Sequence, residues 1–166
     1  SVHGKDNNGV WWTLDTWYSS AGVNVLDSDL LKEGKRLKDK YGVQWVWCGH
    51  DRPASIQKWR IELGIPCKSW QDAKPNKDTK APTVAEGNAK LNALLHHNRW
   101  FIASHLSDFK DKCASYHREE KNGMILDKIA DGQDDHEVDS TRYAIASEEF
   151  KQPPQFNLDS MVSTSP

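Results

Sequence analysis

Cysteine is scarce in this chain: three among 166 residues, Cys48, Cys67 and Cys113, with no Cys-x-x-Cys pair. A small, odd and widely spaced set argues against a disulfide framework and suits a reducing cytosol. Cys113 and His117 stand four apart on an expected helix, the spacing of a zinc half-site. No second pair completes it, and plain packing is the better reading. Long apolar runs are missing as well, and the mean hydropathy is −0.80. No stretch reaches membrane-spanning length, and the opening residues do not read as a signal peptide. Glu33–Leu37, EGKRL, is the nearest approach to a Walker A loop, and it lacks both the upstream glycine and the Ser/Thr, so P-loop ATP hydrolysis is excluded. There is no internal repeat. Net charge is also small, with 22 basic against 24 acidic residues, so overall charge does not mark a nucleic-acid binder.

The distribution of charge is more informative. From Asp131 onward there are eight acidic and two basic residues, a net of −6, whereas residues 1–130 carry 20 basic and 16 acidic, a net of +4. An acidic end beside a mildly basic body is the pattern of a cation site next to a polyanion-binding surface. The acidic end is concentrated in DGQDDHEVDSTRYAIA, residues 131–146, where Asp131, Asp134, Asp135, Glu137 and Asp139 fall within nine residues. Two readings compete. Acidic residues favour the positive end of a helix dipole, so the run suits a solvated helix start. Alternatively, some of the carboxylates hold a metal ion.

Hydrophobic periodicity predicts alternating strands and helices. Val10–Tyr18 follows the turn signal KDNNG and reads as a strand leaving a hairpin. Asp29–Tyr41 reads as a helix with Leu30, Gly34, Leu37 and Tyr41 on one face, ended by Gly42. Val43–Cys48 reads as a strand covered on both faces. Pro53 opens a helix through Leu63. A short strand over Ile65–Trp70, a polar loop, a helix over Val84–His97 and a strand over Trp100–Ala103 follow. Next come a helix over Leu106–Arg118, a turn and strand around NGMIL, and a final helix over Asp135–Phe150. Residues 1–150 form one domain, and residues 151–166 an extended or disordered tail.

Such alternation predicts an α/β fold with a largely parallel central sheet, whose ligands bind beyond the carboxyl ends of the strands. Asp51 stands just past the strand ending at Cys48; alone, it reads better as a helix-capping residue ahead of Pro53. On the last helix Val138, Thr141 and Ile145 share a core-facing side. His136, Asp139 and Tyr143 share another, with Asp135 at its edge and Arg142 three residues beyond Asp139. A helix leaning on the sheet would bring Asp139 toward Asp51. Carboxylates meeting there would need a divalent cation between them, and hard oxygen ligands suit Mg2+ or Mn2+.

Three segments carry a family resemblance: WVWCGHDRPASIQKWRIELGI (Trp45–Ile65), LLHHNRWFIASHLSDFKDKCASYHRE (Leu94–Glu119) and DDHEVDSTRYAIA (Asp134–Ala146). Together they resemble the nuclease domain of the large terminase subunit, the DNA-packaging motor of tailed phages and, more distantly, herpesviruses. The last segment matches the pattern Asp-His-x-x-Asp-x-x-Arg-Tyr-Ala, with Ser140 and Thr141 where small or aliphatic residues are usual. The resemblance runs from Val10 to Ala146. It implies an RNase H-like fold, a mixed sheet flanked by helices, and cleavage of concatemeric double-stranded DNA by a two-metal Mg2+ or Mn2+ endonuclease. It assigns Asp51 and Asp139 as metal-bound catalytic acids, Asp135 as a further ligand, and His136 as the histidine beside them that protonates a leaving group or orients water. Two metals about 3.5–4 Å apart would activate water and stabilise the leaving oxygen. Double-stranded DNA would lie against Lys32, Lys35, Arg36 and Lys40 or against the loop bearing Lys74, Lys77 and Lys80, though each is individually an ordinary surface charge. The implied partners are a terminase ATPase domain or polypeptide, the portal protein and the small terminase subunit. The implied location is the host cytoplasm, transiently at the procapsid portal, with no membrane association.

One expected part is missing. The family's first strand, ending in an Asp-x-Gly acid, has no counterpart here; SVHG aligns with the end of the second strand. Asp6 and Asp15 are the acids nearest that end and the candidates to substitute. The chain is therefore expected to be a fragment, one half of a split protein, or a rearranged fold, and a non-catalytic module docking on DNA, ATPase or portal is the alternative to an active nuclease.

Overall fold

Residues 1–18, 25–50, 53–74, 80–130 and 136–151 are described by the computed structural model. They form a mixed α/β arrangement whose strands fall into three small sheets. β1 (Val2–Lys5) and β2 (Trp11–Asp15) make an antiparallel hairpin, and β5 (Trp100–Ile102) joins β2 in parallel, giving the order β1-β2-β5. β3 (Val46–Cys48) pairs in parallel with β4 (Cys67–Ser69), and β6 (Arg118–Lys121) pairs with β7 (Met124–Ile129) as a second hairpin. The expected single central sheet is thus divided. Among the described residues no strand joins β1 to β3.

Local chemistry explains both hairpins. The KDNNG turn is tied by Asp6, whose Oδ1 accepts from the backbone N–H groups of Asn8 and Val10, each at 2.9 Å. In the second hairpin Asn122 and Gly123 have φ of 53° and 75°, the paired positive values that a two-residue turn matching strand twist requires. Sequence periodicity placed β7 but not β6, because Arg118–Lys121 is wholly charged and carries no apolar alternation.

The helices follow their caps. α1 (Asp27–Tyr41) ends where Gly42, at φ 63°, turns its N–H back to the Lys38 carbonyl at 2.8 Å. α2 (Pro53–Leu63) starts on its proline, as expected. α3 (Val84–His96) begins in a capping box between Thr83 and Glu86, worth about 0.5–2 kcal/mol. α4 (Ser107–Ser115) stops before His117, so the helical spacing expected for Cys113 and His117 does not form. Burial pushes the Cys113 thiol up to about 12, with the nearby Glu137 carboxylate adding to it.

The final helical run has three parts: α5 (His136–Thr141), a π-helical turn (Arg142–Ala146) and α6 (Ser147–Lys151). Ser140 and Thr141 explain the interruption. Both hydroxyls donate to the Glu137 carbonyl at 2.9 Å, competing with the helical backbone bonds at the point where the helix widens. The run then rests on both sheets. Ile145 joins Trp11, Trp100, Leu91, Leu94, Leu106 and Phe109, while Ala146 joins Trp47, Trp70 and Ala73. Val138, Thr141 and Ile145 are buried, as their spacing predicted.

Two neighbouring carboxylates complete this strap. The indole N–H of Trp47, from β3, donates to Glu148 at 2.8 Å, and that of Trp11, from β2, donates to Glu149 at 2.8 Å. Lys5 of β1 also reaches Glu149, at 2.7 Å. Burial raises the Glu149 pKa, but the bonds from Lys5 and Trp11 outweigh it and hold the carboxyl below its ordinary range. Of α1 the expected stripe is only partly right. Leu31 is buried against Leu63 and Cys67, whereas Leu30, Gly34, Leu37 and Tyr41 line an open cleft. Glu149→Ala leaves the buried Trp11 indole without its acceptor, so urea denaturation should show a loss of about 1–3 kcal/mol. Unchanged stability would mean that the strap is not held by this bond.

Candidate functional site

A cleft of about 820 Å³ lies between the sheets β1-β2-β5 and β3-β4, lined by every residue of β1 and of β3. α1 and α2 supply an apolar wall through Leu30, Leu37, Trp59 and Leu63. The last helical run supplies a more polar one through His136, Glu137, Ser140, Ala144 and Glu148. Alternation along β3 separates the two walls: Val46 packs with the cluster of α1 and α2, and Trp47 with that of the last helix, as successive strand residues point to opposite faces.

Of the expected metal ligands, Asp51 and Asp135 lie outside the described residues, as does Lys77. Asp139 is described. Its Oδ1 accepts from Arg142 at 2.9 Å, the neutralising contact that the spacing suggested. His136 is exposed and borders the cleft, whereas Asp139 does not line it. The helical wheel that put His136, Asp139 and Tyr143 on one face is corrected accordingly. His136, Ser140 and Ala144 share the cleft side. Asp139 and Tyr143 meet instead through Arg142.

Arg142 is only 2% exposed. Its guanidinium carbon lies 5.1 Å from the Trp70 ring centre and 4.7 Å from that of Tyr143, distances at which a cation is attracted to ring faces. Nε and Nη1 have no hydrogen-bond partner among the described residues. Room for the side chain comes from Gly87, where a Cβ would stand 2.8 Å from both Cγ and Cδ of Arg142 and 3.1 Å from Trp70. Sequence reading had no signal for Gly87, a helical glycine justified only by what packs on it. Among the described residues no group of three or more His, Cys, Asp or Glu side chains is placed to hold a metal. Asp139, the one expected ligand among the described residues, already rests on a guanidinium.

The acids proposed to substitute for the missing one are engaged elsewhere. Asp6 serves the turn, and the N–H bonds of Val10 lead in lowering its pKa. Asp15 is raised by burial, but the Tyr41 hydroxyl at 2.9 Å and Lys40 at 3.2 Å bring it below its ordinary value. The candidate DNA-binding residues on α1 are largely neutralised: Lys35 pairs with Glu62 at 3.0 Å, Arg36 with Glu33, and Lys40 with Asp15. Lys32 and Lys80 are exposed and Lys74 is half-buried.

A polar relay missed in the sequence crosses the β1 side of the cleft. Trp100 Nε1 donates to Thr13 Oγ1 at 2.9 Å, and Thr13 Oγ1 lies 3.0 Å from His3 Nδ1. His3 Nε2 lies 2.7 Å from Ser1 Oγ, which is 2.8 Å from Ser140 Oγ. Since Ser140 donates to Glu137 O, every bond is made if Thr13 donates to Nδ1 and Nε2 carries the proton. Glu137, buried at 3% exposure, pairs through its side chain with Lys112, whose ammonium sits 3.6 Å from the Tyr18 ring centre. Nothing in the sequence distinguishes Glu137 from its acidic neighbours.

Burial holds the His3 pKa well below its ordinary value. His3 therefore stays neutral in the folded chain while an unfolded chain protonates near pH 6.5. The contribution to stability is complete above that pH and declines as pH falls toward the folded pKa, by at most about 1.4 kcal/mol per pH unit. Denaturation midpoints between pH 7.5 and 5.5, taken as about that window, should fall for the wild type and fall less for His3→Gln. Equal slopes would show that the fold does not hold His3 neutral. Gly87→Ala should cost about 1–3 kcal/mol by overpacking Arg142, read from the same midpoints; a neutral result would show that Arg142 yields easily.

Comparison with family models, curated proteins and solved structures finds no match to this chain among any of them.

Proposed function

We propose that this chain is an RNase H-like endonuclease domain of a DNA-packaging terminase, cutting double-stranded DNA with the help of Mg2+ or Mn2+. The observation that carries the reading is the last helical run. It bears the Asp-His-x-x-Asp-x-x-Arg-Tyr-Ala pattern, lies across the helix-flanked sheets, and presents His136 to the cleft they enclose. On this reading Asp139 and Asp51, with Asp135 as a further ligand, hold the divalent cation, and His136 orients water or protonates the leaving oxygen. Lys32, Lys74 and Lys80 are the described cations best able to meet phosphates, with Lys77 beside them in sequence and Lys35, Arg36 and Lys40 available only by exchanging carboxylate partners. The ATPase would be a separate domain or polypeptide, and the portal and small terminase subunit would be the docking partners.

A second reading has its own observation in favour. Asp139, the one expected ligand among the described residues, is held by Arg142. A module that keeps the scaffold to bind DNA, ATPase or portal without cutting would look like this.

Plasmid cleavage separates the two. Under the nuclease reading, the chain nicks supercoiled DNA with Mn2+ and not with chelator, and Asp51→Asn and Asp139→Asn each reduce the rate by at least about 100-fold. Mn2+ should also raise the melting temperature of the wild type but not of the variants. DNA binding that survives chelation and weakens steeply with salt, with no cleavage under either metal, would replace the nuclease reading with the binding module.

A further inference from the structure

We infer that Trp12 and Phe101 form a stacking platform for the bases of an unpaired nucleic-acid strand. The two stand opposite each other where β2 and β5 pair in parallel. They are 40% and 38% exposed, while their neighbours Trp11 and Trp100 are buried together in the core, as alternation along each strand requires. Their ring centres lie 5.0 Å apart with 27° between the planes, within the range of stacked aromatic pairs. Single exposed aromatics are ordinary on a protein surface. Two stacked on each other present an ordered apolar surface, and the Trp12 indole is further fixed by its N–H bond to Asp6 Oδ2 at 3.3 Å.

Both ends of this stack are open. On one side Gly4 is the partner of Trp12 in the hairpin, and a Cβ there would meet only Leu14 Cδ1, at 3.5 Å. The Trp12 ring therefore does not lie over Gly4, and Gly4 puts no side chain beside it. On the other side β5 ends the order β1-β2-β5, and among the described residues no strand follows Phe101. A planar group extends the two-ring stack from either end. An unpaired strand has base faces free for this, whereas a duplex buries them in its own stack.

The charges select a polyanion over a neutral sugar or an apolar peptide. The β2–β5 ladder runs one residue further back, where Trp11 N–H donates to the Arg99 carbonyl at 2.8 Å. Arg99 thus falls two residues before Phe101 on the same face. It is exposed, and its Nη2 donates to the neutral Gly9 carbonyl at 3.0 Å. Gly9 makes room for it, since a Cβ there would stand 2.8 Å from Nη2. Beyond the other end of β5, Lys110 also bonds a neutral carbonyl, that of Ser104, at 3.2 Å. A cation therefore stands off each end of β5, and neither of these bonds compensates its charge. Asp6, the carboxylate bonded to Trp12, is engaged in the turn through Asn8 and Val10, and Arg99 acts on its charge. Stacked aromatics beside backbone-tracking cations are what single strands bind without sequence readout. The site is separate from the cleft, which none of Trp12, Arg99, Phe101 and Lys110 lines. It goes beyond the nuclease reading, since it uses neither Asp139 nor a metal.

Fluorescence anisotropy on the full chain tests it, in chelator so that no cleavage intervenes. The probes are an oligothymidine of about twelve nucleotides and an abasic strand of equal length. The expected result is that the oligothymidine binds roughly tenfold or more tighter than the abasic strand. Trp12→Leu and Phe101→Leu should each weaken oligothymidine binding by about fivefold or more and leave the abasic strand unchanged, while Phe101→Tyr keeps the affinity. Equal affinity for the two strands overturns the inference, as does unchanged oligothymidine binding in both leucine variants. Photocrosslinking of a 5-iodouracil strand to the wild-type chain needs no variant to fold. Attachment at Trp12 or Phe101 supports the platform, and attachment only elsewhere overturns it. A blunt duplex carrying the same base should not attach there; equal attachment overturns the choice of an unpaired strand. Plasmid cleavage, present or absent, leaves these outcomes as they stand, so the platform and the nuclease reading fail separately.

Discussion

Two indole N–H groups, one from β2 and one from β3, end on consecutive glutamates of one helix. Trp47 reaches Glu148 and Trp11 reaches Glu149, and the rest of the arrangement depends on this pair. Among the described residues β1-β2-β5 and β3-β4 share no strand ladder, so side-chain contacts relate them, through the final helical run and through Asp15 on Tyr41 and Lys40 of α1. The same run contributes Ile145 to one apolar cluster and Ala146, the next residue, to the other. A buried indole that loses its acceptor keeps its desolvation cost, about 1–3 kcal/mol. The strap therefore resists sliding as well as separation, because each glutamate has its own indole and the two are not interchangeable.

The π-helical turn makes the double attachment possible. Ser140 and Thr141 both direct their hydroxyls to the Glu137 carbonyl, and the helix widens over the residues that follow. An added residue per turn changes which side chains share a face. Arg142 thereby sits between Trp70, Tyr143 and the Cα of Gly87, a space no Cβ at residue 87 would leave. From that seat its Nη2 holds Asp139. The acidic residue that the sequence motif singles out is thus oriented by the packing of an arginine, and His136 reaches the cleft from a different side of the same helix.

Several features were legible beforehand because they rest on short-range chemistry. KDNNG makes its turn through the Asp6 carboxylate, Gly42 ends α1 through a positive φ, Pro53 begins α2, and the Asp139–Arg142 contact follows from a spacing of three. Alternating strands and helices also came through as a mixed α/β arrangement. What failed failed for reasons of range or composition. Arg118–Lys121 is a strand only because Asn122-Gly123 folds Met124–Ile129 back on it. The zinc-like spacing of Cys113 and His117 dissolved when α4 ended at Ser115. The parallel central sheet expected from alternation became separate pieces, since pairing depends on partners that periodicity does not identify. Asp51 and Asp135, which carry much of the metal expectation, lie outside the described residues.

By itself the sequence determined which segments turn, coil into helices or extend, and which carboxylates and histidine gather near the last helix. Those outcomes depend on neighbours within a few residues, through backbone sterics, capping bonds and side-chain period. Only the tertiary structure decided that the apolar stripe of α1 faces a cleft, that Asp139 rests on Arg142, and that β1 and β3 border the same space from two different sheets. Each of these is a contact between residues far apart in the chain. Contacts of that kind are set by how whole faces pack and how indoles find acceptors, and no local pattern encodes them.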